Sequence, residues 1–192
     1  MTTFTLDLSP LPHYTDEQFE KLCQANPDLK FERTSRGELV IVAPTGGISG
    51  CRNADLMIDI GNWNRRTQLG VVFDSSTCFR FPNGAMRSPD VTWIRTERWQ
   101  SLSLEQQQKF PPIAPDFVLE LRSLSDGLAM LQAKMQEYLD NGVRLGWLID
   151  PLNRSVEVYR PGSSVEVLEA PATISDTDVL PGLSLGLAWL WG

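Results

Sequence analysis

The stretch from Asp116 to Ile149 constrains this chain more than any other. Asp116–Arg122 is a short apolar run, the length of a buried strand, entered through Pro115 and left through Ser123. Gly127–Asn141 then sets Leu128, Leu131, Met135, Tyr138 and Leu139 along one helical face, with Gly142 placed for a C-terminal cap. Leu145–Ile149 is a second apolar run of strand length, bounded by Asp150-Pro151. Strand, helix and strand in this order predict a right-handed crossover that joins two parallel strands.

The remaining segments add antiparallel pieces and helices. Thr15 is a candidate helix cap, followed by Asp16 and Glu17 in the first turn, and Asn26-Pro27 stops that helix. Lys30–Thr34 and Glu38–Val42 flank Ser35-Arg36-Gly37 as a hairpin. Residues 49–66 carry Leu56, Met57, Ile60 and Trp63 at helical spacing, leaving Arg52, Asp59 and Arg66 for solvent. Short strands are expected at Val71–Asp74, Cys78–Phe81 and Asp90–Ile94. A short helix is expected around Ser103–Lys109, within the polar stretch 96–108. A last hairpin pairs Ser155–Arg160 with Val165–Glu169, and a tail with Trp189 and Trp191 docks on the body. The expected class is mixed α/β (α+β), a single domain over the 192 residues.

Composition narrows the chemistry. No run of about 18 apolar residues occurs, so no membrane span is expected. The opening MTTFTLDLSP lacks the features of a secretory signal. Cys23, Cys51 and Cys78 are odd in number and widely spaced, which argues against a structural zinc site and predicts buried free thiols in a reducing cytoplasm. The single histidine, His13, excludes histidine triads, so any catalysis falls to carboxylates, lysine and arginine. A net charge of −7 opposes broad nucleic-acid binding. Residues 52–98 nevertheless hold seven arginines against five acids, +2, while the rest holds ten basic and nineteen acidic residues, −9. A locally basic face and ordinary solvated arginines both fit that distribution.

On the strand Asp116–Arg122, alternation puts Asp116, Val118, Glu120 and Arg122 on one face and Phe117, Leu119 and Leu121 on the other. Glu120 and Arg122 thus project together from an apolar strand. They form either a structural ion pair or a metal-binding carboxylate with a cationic partner. Asp90 is a second acid at a strand start, where a lone aspartate ordinarily reads as a turn or cap residue. Two carboxylates from adjacent strand ends, with a carbonyl such as that of Leu121, can hold Mg²⁺. Such an ion can activate water and neutralise a phosphate. Lys134 lies at the edge of the apolar helix face. It either snorkels outward or reaches Glu120.

A set of strings, taken together, resembles one family. They are Ser88-Pro89-Asp90, Pro115-Asp116-Phe117-Val118-Leu119-Glu120-Leu121-Arg122-Ser123, Lys134-Met135-Gln136-Glu137-Tyr138-Leu139, Asn141-Gly142-Val143 and Gly146-Trp147-Leu148-Ile149-Asp150-Pro151, with Gly37-Glu38-Leu39 and Ala43-Pro44-Thr45-Gly46 upstream. The ensemble is similar to the Uma-type restriction endonuclease family of the PD-(D/E)XK nuclease superfamily, over roughly residues 14–160. The resemblance implies a restriction-endonuclease-like core over about 38–160, a central mixed sheet flanked by helices. The N-terminal helix and hairpin and the C-terminal hairpin and tail are additions to it. It also implies Mg²⁺- or Mn²⁺-dependent cleavage of DNA.

Carried over by position, Asp90 is the motif aspartate and Glu120 the motif acid. Asp116 also follows a proline but precedes Glu120 on the same strand. Arg122 stands where the superfamily has lysine. Arginine stays protonated and cannot act as a base, but it can stabilise phosphoryl charge. Lys134 then supplies the ammonium, and Glu38 is a further acid. Arg52, Arg65, Arg66, Arg80 and Arg87 are the expected phosphate contacts, and a homodimer is the expected assembly. The acidic balance and Arg122 leave an alternative: a catalytically silent nuclease fold serving as a nucleic-acid-binding or regulatory module, or as an oligomeric scaffold.

Overall fold

A computed structural model of the protein describes residues 3–8 and 14–192; His13 lies outside the described residues. In chain order the first elements are β1 (Thr3–Leu6), α1 (Asp16–Ala25), β2 (Lys30–Arg33), β3 (Leu39–Val42) and α2 (Gly47–Thr67). Next come β4 (Gly70–Asp74), β5 (Phe79–Arg80), β6 (Met86–Arg87), β7 (Val91–Arg95), α3 (Thr96–Gln100) and α4 (Leu104–Gln108). The last are β8 (Phe117–Leu121), α5 (Leu128–Asp140), β9 (Leu145–Asp150), β10 (Ser155–Tyr159), β11 (Glu166–Glu169), β12 (Thr173–Ile174) and β13 (Leu185–Gly186). Thr15 closes the expected cap: its hydroxyl accepts from the Gln18 N–H, and the Gln18 amide oxygen accepts from the Thr15 N–H.

Two sheets carry the fold. The larger has the order β11-β10-β9-β8-β7-β4, with β8 and β9 parallel and every other pair antiparallel. The smaller has the order β1-β3-β2-β6-β5. This is the mixed α/β architecture expected, a central mixed sheet flanked by helices. Leu119 and Leu121 of β8 pack with Leu56, Ile60 and Trp63 of α2 and with the C-terminal segment through Trp191. Val118, on the opposite face, packs with Met135 and Tyr138 of α5. Helix α5 lies so close to β9 that a Cβ on Gly146 would stand 2.4 Å from the Met135 methyl, so a larger residue at this strand position would require the Met135 side chain to shift. A third cluster joins Phe19 of α1 to Phe31, Leu39 and Met86 of the smaller sheet.

Some expectations need correction. The polar stretch after β7 contains α3, which has no apolar stripe to announce it and docks through Trp99 against Phe73. Strands β6, β12 and β13 have two residues each, too few for any periodicity to register. Trp191 docks, its indole N–H donating to the Pro171 carbonyl, but Trp189 stays 42% exposed. Of the three free thiols only Cys78 is buried; Cys23 is half-buried. Cys51 is exposed because it lies off the buried stripe of α2. Among the described residues no helix is long and apolar enough to cross a membrane.

Candidate active site

The ladder between β7 and β8 pairs Val91 with Leu119, Thr92 with Val118 and Trp93 with Phe117. Continued one step beyond its end, this register sets Asp90, just outside β7, opposite Glu120. Directly opposed residues of an antiparallel pair project on the same side of the sheet, so the two carboxylates share a face. Both residues are buried. The Leu121 backbone N–H donates to Asp90 Oδ2 at 2.8 Å, and Asn53 Nδ2 of α2 donates to Asp90 Oδ1 at 3.3 Å. The Tyr138 hydroxyl donates to Glu120 Oε1 at 2.7 Å.

Lys134 and Tyr138 are four residues apart on α5 and meet the same side. Of the two outcomes open to Lys134, the structure takes the inward one. Its ammonium lies 2.9 Å from Glu120 Oε1 and 3.1 Å from Glu32 Oε1. It therefore ties the larger sheet to the smaller. Glu32 lies one step beyond the Arg33–Met86 pair of β2 and β6, opposite Arg87, and the two form an ion pair at 3.2 Å. Arg87 also holds Glu137 at 2.6 Å. The Ser88 N–H donates to Glu32 Oε1 at 3.0 Å.

Glu32, Arg87, Ser88, Asp90, Glu120, Leu121, Lys134 and Glu137 line a cleft of about 630 Å³ between the two sheets, while Asn53 and Tyr138 stand behind its wall and reach it through Asp90 and Glu120. Its carboxylates are Glu32, Glu38, Asp90, Glu120, Asp126 and Glu137; its cations are Lys30, Arg36, Arg87 and Lys134. Six acids against four bases give the cleft a formal charge of −2 when every group is ionised.

The electrostatics divide the acids into two kinds. Burial pushes the Glu120 carboxyl up to about 7; Lys134 works against that shift, and the charges of Asp90 and Glu32 add to it. Burial also raises Asp90, against the pull of the Leu121 N–H and of Lys134. Burial acts on Glu32 too, but Lys134, Arg87 and Lys30 together overcome it and hold that carboxyl at about 2. Burial alone would lower the Lys134 ammonium; Glu120 and Glu32 more than offset this and raise it, so it stays protonated at neutral pH. The Tyr138 phenol is pushed well up by burial and by those carboxylates, so it acts as a donor.

The structure brings Asp90, Glu120, Leu121, Lys134 and Glu38 to one cleft. Glu38 sits at its rim, engaged by Thr34 and Arg36. Arg122 does not line the cleft. Past the end of β8 its guanidinium turns to Asp150, at 2.7 Å, so the shared face expected for Glu120 and Arg122 is lost. Asp116 is fully buried at the other end of β8, with Arg98 and Arg144 beside it. Of the five arginines expected to meet phosphate, Arg80 is paired with Asp16 and Arg87 with Glu32 and Glu137. Arg52 donates to the Leu190 carbonyl, while Arg65 and Arg66 are exposed at the end of α2.

Sequence reasoning did not find Glu32, Tyr138 or Asn53. Glu32 carried one available signal: it is an acid inside a strand, flanked by Phe31 and Arg33. Tyr138 was assigned to the apolar face of its helix, where its ring does pack, but its hydroxyl reaches the site.

The donor set accommodates a hard dication. Among the described residues no group of three or more His, Cys, Asp or Glu side chains is arranged to hold a metal. Mg²⁺, however, takes one or two carboxylates and keeps several waters. Asp90 and Glu120 supply two; burial raises both against the pull of Lys134, and the six acids of the cleft outnumber its four cations.

Comparison with known proteins places this geometry in context. A family model described as "Uma2: Putative restriction endonuclease" matches residues 16–188. Among solved structures, the chain is similar to one described as a "putative nuclease belonging to DUF820" from Anabaena variabilis. Identity is 22% and the TM-score 0.71, over 84% of this chain and 89% of the other. That likeness speaks for the fold. No curated protein matches the chain.

Proposed function

This chain belongs to the Uma2 family, and from that membership we propose that it is a divalent-cation-dependent DNA endonuclease working in the cleft between the two sheets. The observation that carries the proposal is the opposition of Asp90 and Glu120 at the open end of β7 and β8, with Lys134 2.9 Å from Glu120. Asp90 and Glu120, with the Leu121 carbonyl, would hold Mg²⁺ or Mn²⁺. When bound, such an ion supplies a Lewis acid that activates water and screens phosphate charge.

The chain's own groups do the rest. Two donors, the Leu121 N–H and the Asn53 amide, fix the Asp90 carboxylate. The Tyr138 hydroxyl fixes Glu120. Lys134 has three N–H bonds and places two on Glu120 and Glu32, which leaves one for a phosphate oxygen or the attacking water. Its raised pKa makes it an electrostatic and orienting group rather than a base. Hydrolysis adds water across one P–O bond, leaving a phosphomonoester on one strand end and a hydroxyl on the other. A cleft at −2 repels a polyanion, so cation binding also favours substrate binding. The expected homodimer belongs to the same proposal, and sedimentation reads it.

The test is cleavage of plasmid DNA by the purified chain with Mg²⁺, with EDTA, and with Asp90→Ala. Cleavage that needs Mg²⁺ and is lost in the variant supports the assignment. Full activity in Asp90→Ala refutes it.

A further inference from the structure

We infer that Asn53 is a positioning residue of this site, whose amide orients Asp90 with its N–H and offers its carbonyl oxygen to the water shell of the bound cation. The inference rests on the nuclease reading above and extends it to a residue of α2.

Three observations converge on Asn53. Leu56, Ile60 and Trp63 form the buried stripe of α2, and position 53 continues that stripe one turn toward the N-terminus. An apolar side chain is the ordinary occupant of such a place, and the chain has an amide there. Its Nδ2 donates to Asp90 Oδ1 at 3.3 Å, while Leu121 holds the other oxygen. The Asp90 carboxylate is thereby fixed by two donors from two different elements. Finally, Asn53 Oδ1 is buried and has no hydrogen-bond partner.

An unpaired buried acceptor destabilises a fold unless something supplies the missing proton. Water coordinated to a dication directs its hydrogens outward and seeks acceptors. A neutral amide presents a donor and an acceptor together, which serves a carboxylate ligand on one side and a hydration shell on the other. The orphaned oxygen is explained by that second partner, whereas a packing role for the side chain leaves it unexplained.

The experiment compares the full wild-type chain with Asn53→Leu, Asn53→Asp and Asp90→Asn. Mn²⁺ affinity is read by calorimetry, and melting temperature is read at pH 8 in EDTA and in Mn²⁺. Asn53→Leu completes the apolar stripe and removes the orphaned acceptor but leaves Asp90 Oδ1 without that donor, so the two effects oppose each other and it is expected to melt within a few degrees of wild type in EDTA yet bind Mn²⁺ at least tenfold more weakly. Asn53→Asp sets a third carboxylate against Asp90. It is expected to melt below wild type in EDTA and to recover in Mn²⁺, with a larger Mn²⁺-induced shift than wild type. Wild-type Mn²⁺ affinity in Asn53→Leu, with binding lost in Asp90→Asn, overturns the role of Asn53 alone. A melting loss in Asn53→Asp that Mn²⁺ leaves unrestored also overturns it. Absence of Mn²⁺ binding by the wild-type chain overturns this inference and the nuclease reading together.

Discussion

The ammonium of Lys134 lies 2.9 Å from the carboxylate of Glu120, although the two residues belong to different elements, the helix α5 and the strand β8. The same ammonium also reaches Glu32 in the other sheet. One buried cation is thus shared by two buried acids and joins the two walls of the cleft. Lys134→Met leaves both acids without it. The expected result is a loss of roughly 3 kcal/mol in denaturant unfolding at pH 8, together with loss of Mg²⁺-dependent cleavage. Wild-type stability in this variant would show that the contact carries no weight.

Glu120 gives the metal-free protein an unusual pH dependence. Its carboxyl is raised from 4.5 to about 7 on folding, so between those values the folded state binds the extra proton. Its contribution to stability is full below about 4.5 and disappears as pH rises through 7. From pH 5.5 to 8 in EDTA, unfolding free energy is expected to fall by about 2 kcal/mol from this group. Glu120→Gln, which cannot ionise, is expected to remove most of that fall. A flat wild-type profile across this range would contradict the assignment.

Glu32 acts in the opposite direction. Its carboxyl is held at about 2, so the stability it confers is present above about 4.5 and is lost as pH falls toward 2. Glu32→Gln is expected to flatten the acid limb of the unfolding profile below pH 4.5 and to leave its shape above pH 5 to Glu120. Circular dichroism of both proteins from pH 2 to 8 reads the two limbs separately.

Arg122 and Lys134 can be separated by mutation. Arg122 is turned onto Asp150, away from the cleft. Arg122→Ala is expected to cost about 2 kcal/mol by leaving Asp150 without its cation. Cleavage per folded molecule should stay within a few-fold of wild type. A loss of activity as deep as that of Lys134→Met, in protein shown to be folded, would return Arg122 to the reaction.

Arg65 and Arg66 are the two expected phosphate contacts that are left exposed. They lie at the far end of α2 from Asn53, about 18 Å along the helix axis at 1.5 Å per residue. If DNA runs along that helix, changing both to Ala should weaken binding at low salt and lower the salt slope by about 2. An unchanged slope removes α2 from the DNA path.

The sequence by itself determined the elements whose pattern is local. The apolar runs at 117–121 and 145–149, the stripe of α5 between them and the Thr15 cap each announce themselves through spacing or chemistry within a few residues. Local motif strings were also enough for the family resemblance, and they marked Asp90, Glu120 and Lys134. Tertiary structure decided which side chains meet. Whether Lys134 snorkels or turns inward depends on a second sheet carrying Glu32, more than 100 residues away in the chain. Arg122 has the right spacing for the site but leaves it for Asp150, which folding brings to the same strand end. Asn53 reads as one more polar residue of a helix until α2 packs over β7 and lays its amide on Asp90. Periodicity records which face a residue is on, whereas the partner of a buried charge is set by contacts between distant segments.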